Sequence, residues 1–177
     1  MANREALREL QTRLANRLQA ARSEGVQTSW LAVESAGSRY LFPLAQSGEI
    51  FPFASTQAVP YTQPWFLGVA NLRGGLYGVV DLAGFIGSRP AAAARADSGR
   101  AESRLVALGG TLEVNCALLV DKLAGLRNAE AFTSSSEPPA GSPEYFGSGF
   151  TDAGGAYWQE INLQALSQQP QFLSISA

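Results

Sequence analysis

Trp65-Phe66-Leu67-Gly68-Val69-Ala70-Asn71-Leu72-Arg73-Gly74-Gly75-Leu76-Tyr77-Gly78-Val79-Val80-Asp81-Leu82 is the stretch whose reading decides the fold. It reads as two short apolar strands, residues 66–72 and 76–80, joined by a tight turn. Gly74 and Gly75 are expected to supply the positive φ angles that such a hairpin requires. Nearly every strand position is apolar, so both faces should be buried, in a barrel or between packed sheets. Arg73 stands at the lip of this hairpin, where a charge is either held by an acidic partner or presented outward.

The same alternation of apolar runs and glycine turns recurs along the chain. Residues 30–34 and 39–44 flank Ala36-Gly37-Ser38 and read as a hairpin, with Pro43 placing the second strand at an edge or bend. An extended piece runs over 49–53, and a helical turn over 82–86 ends at Gly87. Residues 105–108 and 112–120 are expected to pair across Gly109-Gly110, and 145–151 with 156–161 across Ala153-Gly154-Gly155. Residues 133–143 read as a Ser/Pro-rich loop, and Asn162 as the cap of a short helix over 163–167. Regular strands with few helices argue for small antiparallel barrels. Residues 88–103, rich in Ala, Arg, Ser and Gly, form a flexible excursion whose arginines are solvated. The hairpin-rich halves on its two sides suggest two lobes.

Before the strands comes a helix. Leu7, Leu10, Leu14 and Leu18 recur at spacings of three and four, Ala21 extends the stripe, and Gly25 is a stop. This gives a helical extension over 1–25 ahead of a domain over 26–177. The leucine seam either packs on its own barrel or docks on a partner, including a second copy of the chain.

Composition narrows the chemistry. The chain has 177 residues, 46% hydrophobic, enough for a sizeable core. Its formal charge of −2 offers no general attraction to nucleic acid or anionic lipid. With no histidine, the usual general base, metal ligand and Ser-His or Cys-His nucleophile systems are missing. Cys116 is the lone cysteine and reads as a small buried hydrophobe. An enzyme would have to draw on carboxylates such as Glu49, Asp81 and Asp121, which nothing in their spacing brings together. Asp81 and Asp121 read instead as caps of the turns that follow them. A nucleic-acid-binding barrel would need aromatics interleaved with basic residues on one face, whereas most aromatics lie in apolar strands. The absence of a long apolar run and the charged first residues point to a cytoplasmic protein without membrane insertion.

Gly68-Val69-Ala70-Asn71-Leu72-Arg73-Gly74 followed by Val79-Val80-Asp81-Leu82 resembles the G-x-x-N-x-R-G … V-x-D-L signature of the CheW-like coupling proteins of bacterial chemosensing. Ser47-Gly48-Glu49-Ile50, Leu118-Leu119-Val120-Asp121-Lys122-Leu123 and Ile161-Asn162-Leu163 with Leu166 are similar to further family segments, in family order, over about residues 28–168. The leading helix, with a tryptophan opening both Trp30-Leu31-Ala32-Val33 and Trp65-Phe66-Leu67-Gly68, is similar to the branch of that family serving type IV pilus twitching motility.

The resemblance implies a mainly β fold of two SH3-like, five-stranded barrel lobes, with an N-terminal amphipathic helix and a short C-terminal helix. It implies a non-catalytic adaptor without cofactor or metal. The implied partners are a CheA-type histidine kinase, through its CheW-like regulatory domain, and the cytoplasmic tip of a methyl-accepting chemoreceptor. Carried over by position, Glu49 and Arg73 match a charged pair at the receptor-facing groove, and Gly68, Asn71 and Gly74 match the motif around it. A scaffold of another chemosensory pathway, or a small-ligand or nucleic-acid-binding barrel, is the alternative. The chain departs from the family pattern at Gly75, Gly78, Tyr61-Thr62-Gln63 and Gln159-Glu160. The polar Gln159-Glu160 pair suggests an edge position for the last strand.

Overall fold

The computed structural model describes residues 8–16, 29–88 and 101–177. Among the described residues eleven strands form two sheets. The six-stranded sheet runs in the order β8 (Lys122–Asn128), β1 (Ser29–Ser35), β2 (Ser38–Pro43), β11 (Tyr157–Ile161), β10 (Phe146–Asp152), β9 (Phe132–Ser136). The five-stranded sheet runs β3 (Ser47–Pro52), β6 (Arg104–Leu108), β7 (Cys116–Val120), β5 (Gly75–Asp81), β4 (Phe66–Leu72).

The two lobes are not the two halves of the chain. The six-stranded sheet joins β1 and β2 to β8–β11, while the five-stranded sheet joins β3–β5 to β6 and β7. Hairpins satisfy only one side of a strand. Strands as apolar as β5 and β7 need a second neighbour, and the parallel pairings β5–β7 and β2–β11 supply it across the chain. One lobe therefore has six strands rather than five, and neither sheet closes by hydrogen bonding into a complete barrel.

Alternation along the strands builds three apolar layers. Leu31 and Val33 of β1 point into the core between the sheets, with Phe42, Val106, Leu118 and Val120. Trp30 and Ala32 of the same strand point into the six-stranded lobe, with Leu41 and Trp158. In the other lobe Leu67, Ala70, Leu72, Val79, Ala117 and Leu119 form a third cluster. β1, β6 and β7 are thus buried on both faces along their apolar runs.

Several boundaries differ from expectation. After a bend at Asp121 the chain crosses to the other sheet as β8, a full strand, and β9 occupies 132–136, where a loop was expected. Thr133 and three serines carry little strand signal, so β9 owes its form to pairing with β10. Gly109-Gly110 does not make a tight hairpin: β7 begins only at Cys116, after a 3-10 turn over Gly110–Leu112. β11 is a central strand between β2 and β10, not an edge. It tolerates its polar residues because each is satisfied. Gln159 Nε2 donates to the carbonyls of Gly147 and Glu160, its Oε1 accepts from the Tyr157 hydroxyl, and the Trp30 indole N–H donates to Glu160.

Among the helices, α1 is described over residues 8–16, with Leu10 and Leu14 exposed. The other members of the seam, Leu7, Leu18 and Ala21, and the Gly25 stop lie outside the described residues, as do 89–100 of the central excursion. α2 (Leu82–Ile86) ends at Gly87, which sits at φ 87°. α3 (Leu163–Ser167) is capped by Asn162 Oδ1, which accepts from the Ala165 amide at 3.0 Å, and α4 (Pro170–Leu173) follows. Phe172 of α4 stacks with Trp65, and Phe85 of α2 meets both edge-on, fixing the end of the chain to the start of the central hairpin.

Candidate functional site: the Glu49–Arg73 hairpin face

The central hairpin turns on Arg73 and Gly74, at φ 50° and 82°, rather than on Gly74 and Gly75. Leu72 pairs with Gly75, so the loop has two residues, both left-handed, the geometry that matches the twist of a hairpin. A left-handed arginine is held against its own preference. Asn71 contributes to holding it: its Oδ1 accepts the Gly74 amide at 2.9 Å. Asn71, Arg73 and Gly74 are therefore one unit, all three exposed at the hairpin tip.

Gly68 acts lower in the same hairpin. It is buried at φ 129° beside a register shift between Phe66 and Gly68. A Cβ there would lie 2.1 Å from the Gln57 carbonyl oxygen. The missing side chain lets Gln57 approach and exchange two backbone hydrogen bonds with Val69, at 2.8 and 2.9 Å, covering the outer side of β4. Gly68 thus shapes the hairpin from within, away from the exposed tip.

Arg73 Nη1 makes an ion pair with Glu49 Oε1. The two do not sit on neighbouring strands: β3, which carries Glu49, and β4, which leads into Arg73, are opposite edges of the five-stranded sheet. The sheet curls until its edges approach, and the pair bridges the gap. The side chains are 76% (Arg73) and 44% (Glu49) exposed, so the pair is a surface feature. Exposed pairs contribute only ~0–1 kcal/mol, which leaves orientation of the guanidinium as its main effect. Ile50, beside Glu49, and Leu76, opposite Asn71, are exposed apolar residues on the same two elements. The site is an oriented cation with apolar flanks, suited to docking a protein surface.

The carboxylates an enzyme would need are committed elsewhere. Asp81 is fully buried, and its Oδ2 accepts the Gly84 amide at the start of α2. Asp121 Oδ2 accepts the Ala36 amide at 2.8 Å, which caps the β1–β2 turn. Burial pushes the Cys116 thiol up to about 12, which leaves it unreactive at neutral pH. One polar cluster escaped sequence reading. Asp152 Oδ1 accepts the Gly154 and Ala156 amides, and its Oδ2 accepts the Trp158 indole N–H at 3.0 Å. The Asp-x-Gly spacing signals the turn, but nothing in the sequence links Asp152 to Trp158. Among the described residues no helix is long and apolar enough to cross a membrane.

Two curled sheets share one core, and the N-x-R-G hairpin stands at the free edge of one of them. A family model described as "CheW-like domain" matches residues 29–171, and the chain belongs to that family. The chain is similar to protein PilI of Pseudomonas aeruginosa, 29% identical over 120 residues, 67% of this chain. The match spans 64% of PilI, a little under two thirds of its length. Its fold is similar to that of the scaffolding protein TtCheW from Thermoanaerobacter tengcongensis. The TM-score is 0.60 at 19% identity, covering 77% of this chain and 89% of that one.

Proposed function

We propose that the protein is a non-catalytic adaptor that couples the cytoplasmic tip of a chemoreceptor to a CheA-type histidine kinase. The kinase is held through its own CheW-like regulatory domain, and Glu49 and Arg73, with the Asn71–Gly74 turn, form a docking landmark. The observation that carries this reading is the exposed ion pair bridging the two edges of the five-stranded lobe. An arginine that is oriented yet still solvated serves recognition better than stability. The likeness to PilI supports the type IV pilus branch of chemosensing, with twitching motility as the output.

Reconstitution tests this directly. Kinase, receptor-tip fragment and this protein are combined, and kinase autophosphorylation is followed with and without receptor. Receptor control of the kinase only in the presence of the protein supports the adaptor. Binding to neither the kinase regulatory domain nor the receptor tip overturns it.

A further inference from the structure

Gln46 ends the 3-10 turn Leu44–Gln46, which carries the chain from β2 of the six-stranded sheet to β3 of the five-stranded one. Its side chain and its backbone hold different neighbours. Oε1 accepts the amides of Leu163 at 2.8 Å and Gln164 at 3.3 Å, the first two of α3, while Asn162 serves the Ala165 amide. These are donors that a helix cannot satisfy internally. Leu163 and Leu166 are fully buried in the core shared by the two sheets, so α3 is a fixed anchor. The Gln46 carbonyl accepts the Gly109 amide at 2.8 Å, just past the end of β6.

Glu49 follows three residues on, inside a bulge. Ser47 pairs with Leu108 and Ile50 with Val106, three steps on β3 against two on β6. The extra residue interrupts the ladder at Gly48 and Glu49, so the aim of the Glu49 side chain depends on how the bulge is held at its two ends. Ile50 holds one end. Gln46 holds the other, where the two backbones approach closely. A Cβ on Gly48 would lie 2.8 Å from the Leu108 carbonyl oxygen, and one on Gly109 2.9 Å from that of Gln46.

We infer that Gln46 is the positioning residue of the docking face: by tying the start of β3 to α3, it sets where Glu49 stands and so how Glu49 holds Arg73. The six-stranded lobe thereby orients a cation displayed by the other lobe. The inference deepens the docking reading of Glu49 and Arg73 and rests on it for its effect on binding. The position requires an acceptor, since both helix amides donate to it. Gln46→Glu keeps that acceptor at a helix start that favours negative charge, whereas Gln46→Leu removes it.

NMR of the full chain separates positioning from mere stabilisation. The guanidinium nitrogen shift of Arg73 is compared in Gln46→Leu and Gln46→Glu, with Glu49→Gln as the reference for a weakened pair and thermal melts to verify folding. Gln46→Leu is expected to move the shift at least halfway to its value in Glu49→Gln, and Gln46→Glu to restore the wild-type value. Affinity for a chemoreceptor-tip fragment should fall at least threefold in Gln46→Leu and recover in Gln46→Glu. If Gln46→Leu fails to fold, Gln46→Asn, whose amide ends one methylene short, takes its place in the same comparison. An Arg73 shift that ignores Gln46→Leu or Glu49→Gln overturns the inference, as does a Gln46→Glu as defective as Gln46→Leu. A wild-type chain that binds no receptor tip overturns the adaptor reading instead, and the Arg73 shift still decides the role of Gln46.

Discussion

Glu49 and Arg73 come from opposite edges of one five-stranded sheet and meet as an exposed ion pair. The contact reports on the curl of the whole lobe, since the two residues can touch only if β3 and the tip of the β4–β5 hairpin are brought round to each other. It also separates two properties of Arg73 that are usually mixed. The left-handed backbone belongs to the turn, whereas the guanidinium belongs to the surface.

That separation is testable with Arg73→Gly. Glycine accepts a left-handed φ without strain, so the variant should gain from the backbone about what it loses from the ion pair, each ~0.5–1 kcal/mol. Thermal unfolding should therefore shift by no more than a few degrees, while adaptor binding falls. A large loss of stability would show that the ion pair holds the lobe closed.

Asn71→Ala removes the acceptor of the Gly74 amide. A loss of ~1 kcal/mol is expected by chemical denaturation, the usual cost of one partly exposed turn hydrogen bond. Hydrogen exchange at Gly74 should rise, and no change there would place the turn's support elsewhere.

Gly68→Ala faces a harder conflict. Its Cβ would sit 2.1 Å from the Gln57 oxygen on a backbone at φ 129°. The expected cost is ~2–4 kcal/mol, from strain at a special φ together with displacement of residues 57–58. Loss of amide protection at Val69 and Gln57 is the local readout.

The pH response of the other lobe should depend on Asp152. The indole N–H of Trp158 holds its carboxyl below the usual carboxylate range, with the Ala156 and Gly154 amides and Arg39 acting in the same sense against an opposing effect of desolvation. A carboxyl depressed in the folded state contributes stability that is present above its unfolded pKa and is lost as pH falls through its folded one. Asp152→Asn should thus lower the melting temperature at neutral pH and reduce the further drop between about pH 5 and pH 2. An unchanged acid profile would remove Asp152 from the acid response.

Removal of residues 1–24 should leave a cooperative melt within a few degrees of the full chain. The described part of α1 is exposed at every residue. Non-cooperative unfolding of the truncated chain would make the helix part of the core.

Much of this fold is legible in the sequence because its signals are local. The β1–β2, β4–β5 and β10–β11 hairpins, the Gly87 stop and the Asn162 cap each follow from a few adjacent residues. The family signature adds the two-lobed plan. Non-local features are the ones that stay hidden. Nothing local to β5 announces β7 as its parallel neighbour, and 132–136 becomes a strand only because β10 is there to pair with it. The placement of Gln159 and Glu160 in a central strand likewise depends on Gly147, Tyr157 and Trp30, which no spacing rule connects. In the candidate site, the N-x-R-G pattern marks the turn. The identity of the left-handed pair and the meeting of Glu49 with Arg73 across sheet edges require the curled sheet itself.

Charge reversal at the hairpin tip tests the central claim most directly. Arg73→Glu, Glu49→Arg and the double variant are each assayed for ternary assembly with the kinase and the receptor tip, alongside thermal melts. Arg73→Glu is expected to stay folded and to lose assembly at least tenfold, with the double variant restoring the ion pair but not full binding. Normal ternary assembly and kinase control by folded Arg73→Glu would contradict it.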